Sequence, residues 1–214
     1  MTTLYGYFRS SAAYRVRIAL NLKGLAYDQV PVNLVKGEQR GDANLARHPQ
    51  GLVPSLVTDD GLVLTQSLAI CEYLDELHPR PALLPEAPAE RARVRALAQL
   101  VACEIHPLNN LRVLKYLVHE LKLDEEAKLG WYRHWVTGGF DALETMLSRE
   151  AGSGDFCHGD TPTLADLCLV PQVFNAERFA CDLSAYPRIR RIVANCRTLP
   201  AFQRAAPGAQ PDAG

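Results

Sequence analysis

LYGYFRSSAAYRVRIALNLKG, residues 4–24, changes from strand-like to helical pattern within a few residues. Leu4 to Tyr7 reads as a short strand. From Ser11 the apolar residues recur at helical spacing, with Ala12, Val16, Ala19 and Leu20 on one face, until Gly24 ends the run. Val30, Val32 and Leu34 then alternate as a half-buried strand, so the chain begins β-α-β. Ser10 and Ser11 lie between strand and helix, where free backbone N–H groups and the helix dipole favour negative charge, a site suited to a thiolate. A serine in that place is also the ordinary helix cap, and position alone does not choose between the two.

Further along, residues 51–58, the turn Asp59-Asp60-Gly61 and residues 62–64 read as a hairpin, and a helix follows from Ser67 with Ile70, Tyr73, Leu74 and Leu77 at helical spacing. Val53-Pro54 precedes a strand, the one place in a sheet interior where proline is tolerated. A cis bond there would turn the N–H and C=O of Val53 sideways, as a short sheet edge for an extended peptide ligand. Gln66-Ser67 opens the next helix; Ser67 reads as its cap, with neighbouring amides able to hold a carboxylate.

The prolines from Pro79 to Pro88 cannot continue a helix or a central strand, so the expected boundary falls there: an α/β domain over 1–80, a linker over 81–88, and an all-α domain over 89–214. Val94, Leu97, Val101 and Ile105 form one apolar stripe in the second part, and Tyr132, Val136, Phe140, Leu143 and Leu147 another. His106 before Pro107 marks a kink. Thr163 and Asp166 read as a capping box, which makes Asp166 structural. The Ala-, Pro- and Gly-rich tail from Ala205 reads as a loosely held terminus. Arg9, Arg15, Arg112, Arg178, His106, Asn109 and Asn110 have no spacing that makes them converge.

The 23 basic and 24 acidic residues nearly cancel, which argues against nucleic acid or an anionic membrane as partner and leaves a small molecule. Six widely spaced cysteines without a CxxC pair suggest neither a metal site nor a disulfide framework. With no signal peptide or membrane span legible, the expected compartment is the cytoplasm.

Taken in order, YFRSSAAYRVRIALNLKG, QGLVPSL, LTQSLAICEYLDELHPRPALLP, HPLNNLRVLKYL, GDTPTLADLCLVPQVFNAERF and DLSAYPRI resemble the zeta class of glutathione transferases, the class that includes maleylacetoacetate and maleylpyruvate isomerases. The resemblance implies a thioredoxin-like α/β N-terminal domain, an all-α C-terminal domain and a homodimer. It also implies glutathione as cofactor. Carried over by motif, Ser10 resembles the residue nearest the glutathione sulfur, with Ser11, Arg9 and Arg15 in the same catalytic segment. Val53 and Pro54 resemble the backbone partner, and Gln66 and Ser67 the binders of the γ-glutamyl end. Gln39 is expected at the glycyl end, and His106, Asn110 and Arg112 at positions that complete the pocket. Arg9, Arg15 and Arg178 are expected to serve an anionic substrate, Arg15 alternatively ordering the motif. Where the class often carries cysteine, this chain has Ala12.

The implied activity is glutathione-dependent cis–trans isomerisation of a maleyl diketo acid, first maleylacetoacetate of tyrosine and phenylalanine breakdown. Maleylpyruvate of gentisate degradation, a general transferase or dehalogenase, and a non-catalytic binding module are the alternatives.

Overall fold

The computed structural model describes residues 1–149 and 152–213. Two compact units divide the chain, Met1–Leu83 with Arg197–Gly214, and Leu84–Cys196.

The first unit is built on β1 (Thr3–Gly6), α1 (Ser11–Leu22) and β2 (Asp28–Pro31), with β2 parallel to β1. The strand expected through Leu34 ends at Pro31. Val32 continues the pairing only by donating its N–H to the Gly6 carbonyl at 2.6 Å. Next come α2 (Asp42–Arg47), β3 (Ser55–Val57), β4 (Val63–Thr65) and α3 (Ser67–Leu77). The expected hairpin forms in the register Ser55↔Thr65, Leu56↔Leu64 and Val57↔Val63, and Gly61 turns it with φ 87°. The sheet order is β2-β1-β3-β4, with β3 antiparallel to both neighbours.

Leu4 and Leu56, paired across β1 and β3, are fully buried. α1 was expected to show one apolar face, yet every residue from Ala13 to Leu20 is buried. The cause lies at the other end of the chain. α9 (Pro200–Ala205) packs on α1 from one side while α3 packs on it from another, so the terminus expected to be loose is part of this core. Arg17, 0% exposed, donates Nε to the Ala205 carbonyl and Nη2 to the Phe8 carbonyl, each at 2.9 Å, and burial pulls its pKa down to about 10.

The proline-rich stretch is fastened at its start. Lys23 Nζ meets Asp75 Oδ1 and the His78 carbonyl at 2.6 Å and the Pro81 carbonyl at 2.5 Å, while Asp75 also accepts the Leu83 N–H. These bonds hold residues up to Leu83 to the first unit.

The second unit contains α4 (Pro88–Gln99), α5 (Leu111–His119), α6 (Glu125–Arg149) and α7 (Leu164–Arg178), and most of α8 (Pro187–Thr198). Both expected apolar stripes are buried. α4 runs into a wider π-helical turn, Leu100–Ile105, where His106 N–H reaches the Val101 carbonyl five residues back at 3.0 Å. Gly139 of α6 lies against this turn, and a Cβ there would overlap Ile105. Asp166, 0% exposed, accepts from Thr163 N, Thr163 Oγ1 and Cys157 N at 2.8, 2.9 and 2.9 Å, so the capping box forms and reaches one loop further than its own turn. All six cysteines are free thiols. Among the described residues no helix is long and apolar enough to cross a membrane.

Candidate active site

Ser10 caps α1: with extended backbone, its Oγ accepts the Ala13 N–H at 3.2 Å. The cap and a sulfur-facing role do not compete. A hydroxyl that accepts on the helix side keeps its own proton to donate outward. Ser11 is 4% exposed and turned inward, whereas Arg9 is half-buried, its Nη2 on the Tyr7 hydroxyl at 2.9 Å and its guanidinium over the Phe8 ring. Val53-Pro54 is a cis peptide two residues before the ladder starts at Ser55↔Tyr5, so the Val53 N–H and C=O lie outside the sheet pairing. Val53 packs with Tyr7 and Phe8, which sets it beside the loop carrying Arg9 and Ser10.

At the head of α3 the arrangement differs from the expected cap. Ser67 is the first helical residue, and Gln66 holds the cap position with φ 67° and ψ 109°, a conformation scarce for side-chain-bearing residues. Gln66 makes no side-chain cap. Its Nε2 donates instead to Gln50 Oε1 at 3.0 Å. Ser67, 7% exposed, accepts at Oγ from Arg15 Nη1 at 3.2 Å. Arg15 itself is 2% exposed, so it lies beneath the head of α3 and presents no open fork to a substrate. Gln39 sits in a short 3-10 turn, Glu38–Arg40, its Oε1 buried without a partner.

Within the second unit, His106 follows the π-helical turn and its Nε2 is 3.4 Å from Asn110 Nδ2. Asn110 caps α5 by accepting the Arg112 N–H at 3.1 Å, and Arg112 is exposed. Asn109 is turned into the core, its Nδ2 on the Tyr132 carbonyl at 3.3 Å. Arg178 is exposed at the end of α7, with Nη1 on Asn175 Oδ1 at 3.1 Å.

The structure therefore groups Arg9 and Ser10 with Val53, Arg15 with Ser67, and His106 with Asn110. Gln50 and Asn175 were not singled out from sequence. A polar residue pairing with a partner distant in sequence, or on the next helical turn, carries no periodic signal.

A β-α-β unit continued by a hairpin and helix, with a serine heading α1 and a cis proline before β3, followed by an all-helical unit, defines the glutathione S-transferase class. The glutathione S-transferase N-terminal domain family matches residues 4–82 and its C-terminal domain family residues 130–195. The probable maleylacetoacetate isomerase of Vibrio cholerae serotype O1 is 53% identical over 212 residues, covering 98% of this chain and 97% of the relative. The holo structure of a maleylpyruvate isomerase, a bacterial glutathione S-transferase in the zeta class, superposes with TM-score 0.96 at 50% identity, covering 99% of this chain and 100% of that one. The maleylacetoacetate isomerase of Methylobacterium extorquens AM1, solved with malonate and glutathione bound, has TM-score 0.96 at 48% identity, with 99% of each chain covered. The chain belongs to the zeta class of the glutathione S-transferases, the maleylacetoacetate and maleylpyruvate isomerase family.

Proposed function

We propose that this chain is a glutathione-dependent cis–trans isomerase that converts a maleyl diketo acid to its fumaryl isomer. The observation that carries the reading is Ser10, whose Oγ takes the Ala13 N–H and so leaves the hydroxyl proton for an incoming sulfur. Glutathione, when bound, supplies a thiol that adds reversibly to the cis double bond, which then rotates as a single bond before the thiol leaves. A free thiol has a pKa of about 8.5, and the Ser10 hydroxyl with the first amides of α1, Ser11 among them, favours its ionised form. Ala12 leaves the reacting thiol to glutathione alone.

Val53, set before cis Pro54 and outside the ladder, has its main-chain N–H and C=O available for a peptide backbone, and Gln66 with Ser67 suits the γ-glutamyl end. Gln39 is assigned to the glycyl end. His106, Asn110 and Arg112 are assigned to glutathione. Arg9 and Arg178 serve substrate carboxylates, since guanidinium binds carboxylate through two parallel hydrogen bonds. The Methylobacterium relative was solved with malonate and glutathione bound, and malonate, like a maleyl diketo acid, is a dicarboxylate.

Maleylacetoacetate is the first substrate proposed and maleylpyruvate the second, because relatives of near-equal identity carry both names. Assaying both compounds with and without glutathione tests the reading. Isomerisation dependent on added glutathione is expected, and equal rates without it would overturn the mechanism. We place the enzyme in the cytoplasm, in keeping with six free thiols, and as a homodimer. Light scattering that reads a single-chain mass at working concentration would refute the dimer.

A further inference from the structure

The end of α7 is fixed more firmly than a helix terminus at the surface requires. Phe179 closes the helix and the chain turns back at once, Cys181 N–H reaching the Ala176 carbonyl at 2.9 Å and Ala180 N–H the Glu177 carbonyl at 3.1 Å. This paired closure uses a left-handed residue, and Ala180 fills the place with φ 51°, where glycine would cost less. From α6, Arg133 Nε donates to the Phe179 carbonyl at 3.3 Å. The Phe179 ring stacks on Tyr132, with centroids 3.9 Å apart and planes 18° from parallel, and Tyr132 is 2% exposed. The half-buried ring of Phe179 is thus pinned to the core of the second unit.

Arg178 rests on this mount. Its guanidinium lies over the Phe179 ring, 5.5 Å from the centroid, within the range of a cation–π contact. Its Nη1 donates to Asn175 Oδ1 at 3.1 Å, one turn back on the same helix. An arginine at the surface samples many rotamers, and binding a carboxylate then costs the ordering of that side chain. A ring face and an amide oxygen together meet much of that cost before the ligand arrives. Both contacts are made by uncharged groups. At the same i,i+3 spacing on α6, Glu125 and Lys128 form an ion pair at 2.6 Å, whereas the Asn175 contact directs a cation without itself adding a countercharge.

We infer that Phe179 and Asn175 are positioning residues that hold Arg178 ready for a substrate carboxylate, with Tyr132 as the fixed plate beneath the ring. This rests on the reading that Arg178 serves the substrate, and it names what aims the guanidinium.

The test is steady-state kinetics of the full chain with glutathione and the maleyl diketo acid that wild type isomerises. Phe179→Leu keeps bulk and loses the aromatic face. Its KM for the acid is expected to rise about fivefold, with kcat within about twofold and glutathione Kd unchanged. Phe179→Tyr, which retains the face, restores the wild-type KM. Asn175→Ala raises KM about threefold without lowering Tm, alanine being the better helix former. Asn175→Asp also raises KM, because its carboxylate competes with the substrate's for Arg178. Arg178→Ala raises KM about tenfold or more, and in that background Phe179→Leu and Asn175→Ala add little. Wild-type KM in either Phe179→Leu or Asn175→Ala overturns the inference, as does the same rise in KM with Arg178 present and absent. A joint loss of kcat, glutathione affinity and Tm in Asn175→Ala marks a structural role and overturns it too, so that variant decides the matter even if Phe179→Leu folds poorly. Wild-type KM in Arg178→Ala would instead overturn the reading of Arg178 beneath it.

Discussion

Asp212 Oδ2 accepts the backbone N–H of Phe8 at 3.0 Å, joining residues 204 positions apart. The carbonyl of the same residue is taken by Arg17 Nη2, and Arg17 Nε in turn holds the Ala205 carbonyl. The peptide two residues before Ser10 is thus clamped by α1 and by the C-terminal segment together. Asp212→Ala removes one side of the clamp. Because Asp212 is half-exposed, the expected loss is about 1 kcal/mol, a Tm decrease of about 2–4 °C for a chain of this size. Turnover falls with it as the Arg9–Ser10 loop loosens, and Asp212→Asn, which retains an acceptor, restores most of both. Calorimetry and steady-state assays check this; an Asp212→Ala protein with wild-type Tm and kcat would show the clamp to be idle.

Ser10 has two duties that can be separated. Ser10→Ala loses the cap to Ala13 and the outward O–H, so it is expected to cost about 1 kcal/mol of stability. It also slows glutathione-dependent turnover by about 100-fold. Ser10→Gly caps nearly as well as serine but has no hydroxyl. Its Tm should stay close to wild type while its turnover matches Ser10→Ala, and near-normal turnover in the glycine variant would remove the hydroxyl from the mechanism.

Asp166 accepts the Thr163 amide and hydroxyl and the Cys157 amide inside the second unit, and Asp166→Ala strands those two amides in a buried site. Each stranded donor costs about 1–3 kcal/mol, so the urea midpoint should fall steeply. Asp166→Asn keeps acceptor oxygen for part of the set and loses less. Equal midpoints for wild type and Asp166→Ala would contradict this account.

His48 is 3% exposed, and burial holds its imidazolium pKa below the usual 6.5. Below pH 6.5 the unfolded chain takes up a proton that the folded imidazole refuses. Its share of stability is therefore whole above 6.5 and is lost as pH falls toward the depressed folded value. His48→Leu should flatten the decline in urea midpoint between pH 7 and about 5.5; an unchanged slope would show that His48 does not drive it.

Much of the fold was legible because its signals are local. β1 and α1, the turn at Gly61, the capping box at Thr163 and Asp166, and both apolar stripes of the second unit each follow from patterns within a few residues. α2 was not legible. Six residues give no helical period, and Asn44 ties that short helix down through the Gln39 and Leu52 carbonyls.

Of the candidate site, the residue types and their order are readable along the chain: a serine before α1, proline before β3, and a Gln-Ser pair at the head of α3. What those residues do to one another comes from the folded arrangement. It made Ser10 both cap and outward donor, moved the cap of α3 from Ser67 to Gln66, and buried Arg15 beneath Ser67. It also turned the tail into a wall of the first unit, so that α1 is covered on a second side and Arg17 is buried. Distance along the chain separates the two kinds of information. Periodicity reports which face of an element is apolar, but a polar side chain's partner, and the desolvation that gives the pairing its strength, are supplied by residues dozens to hundreds of positions away.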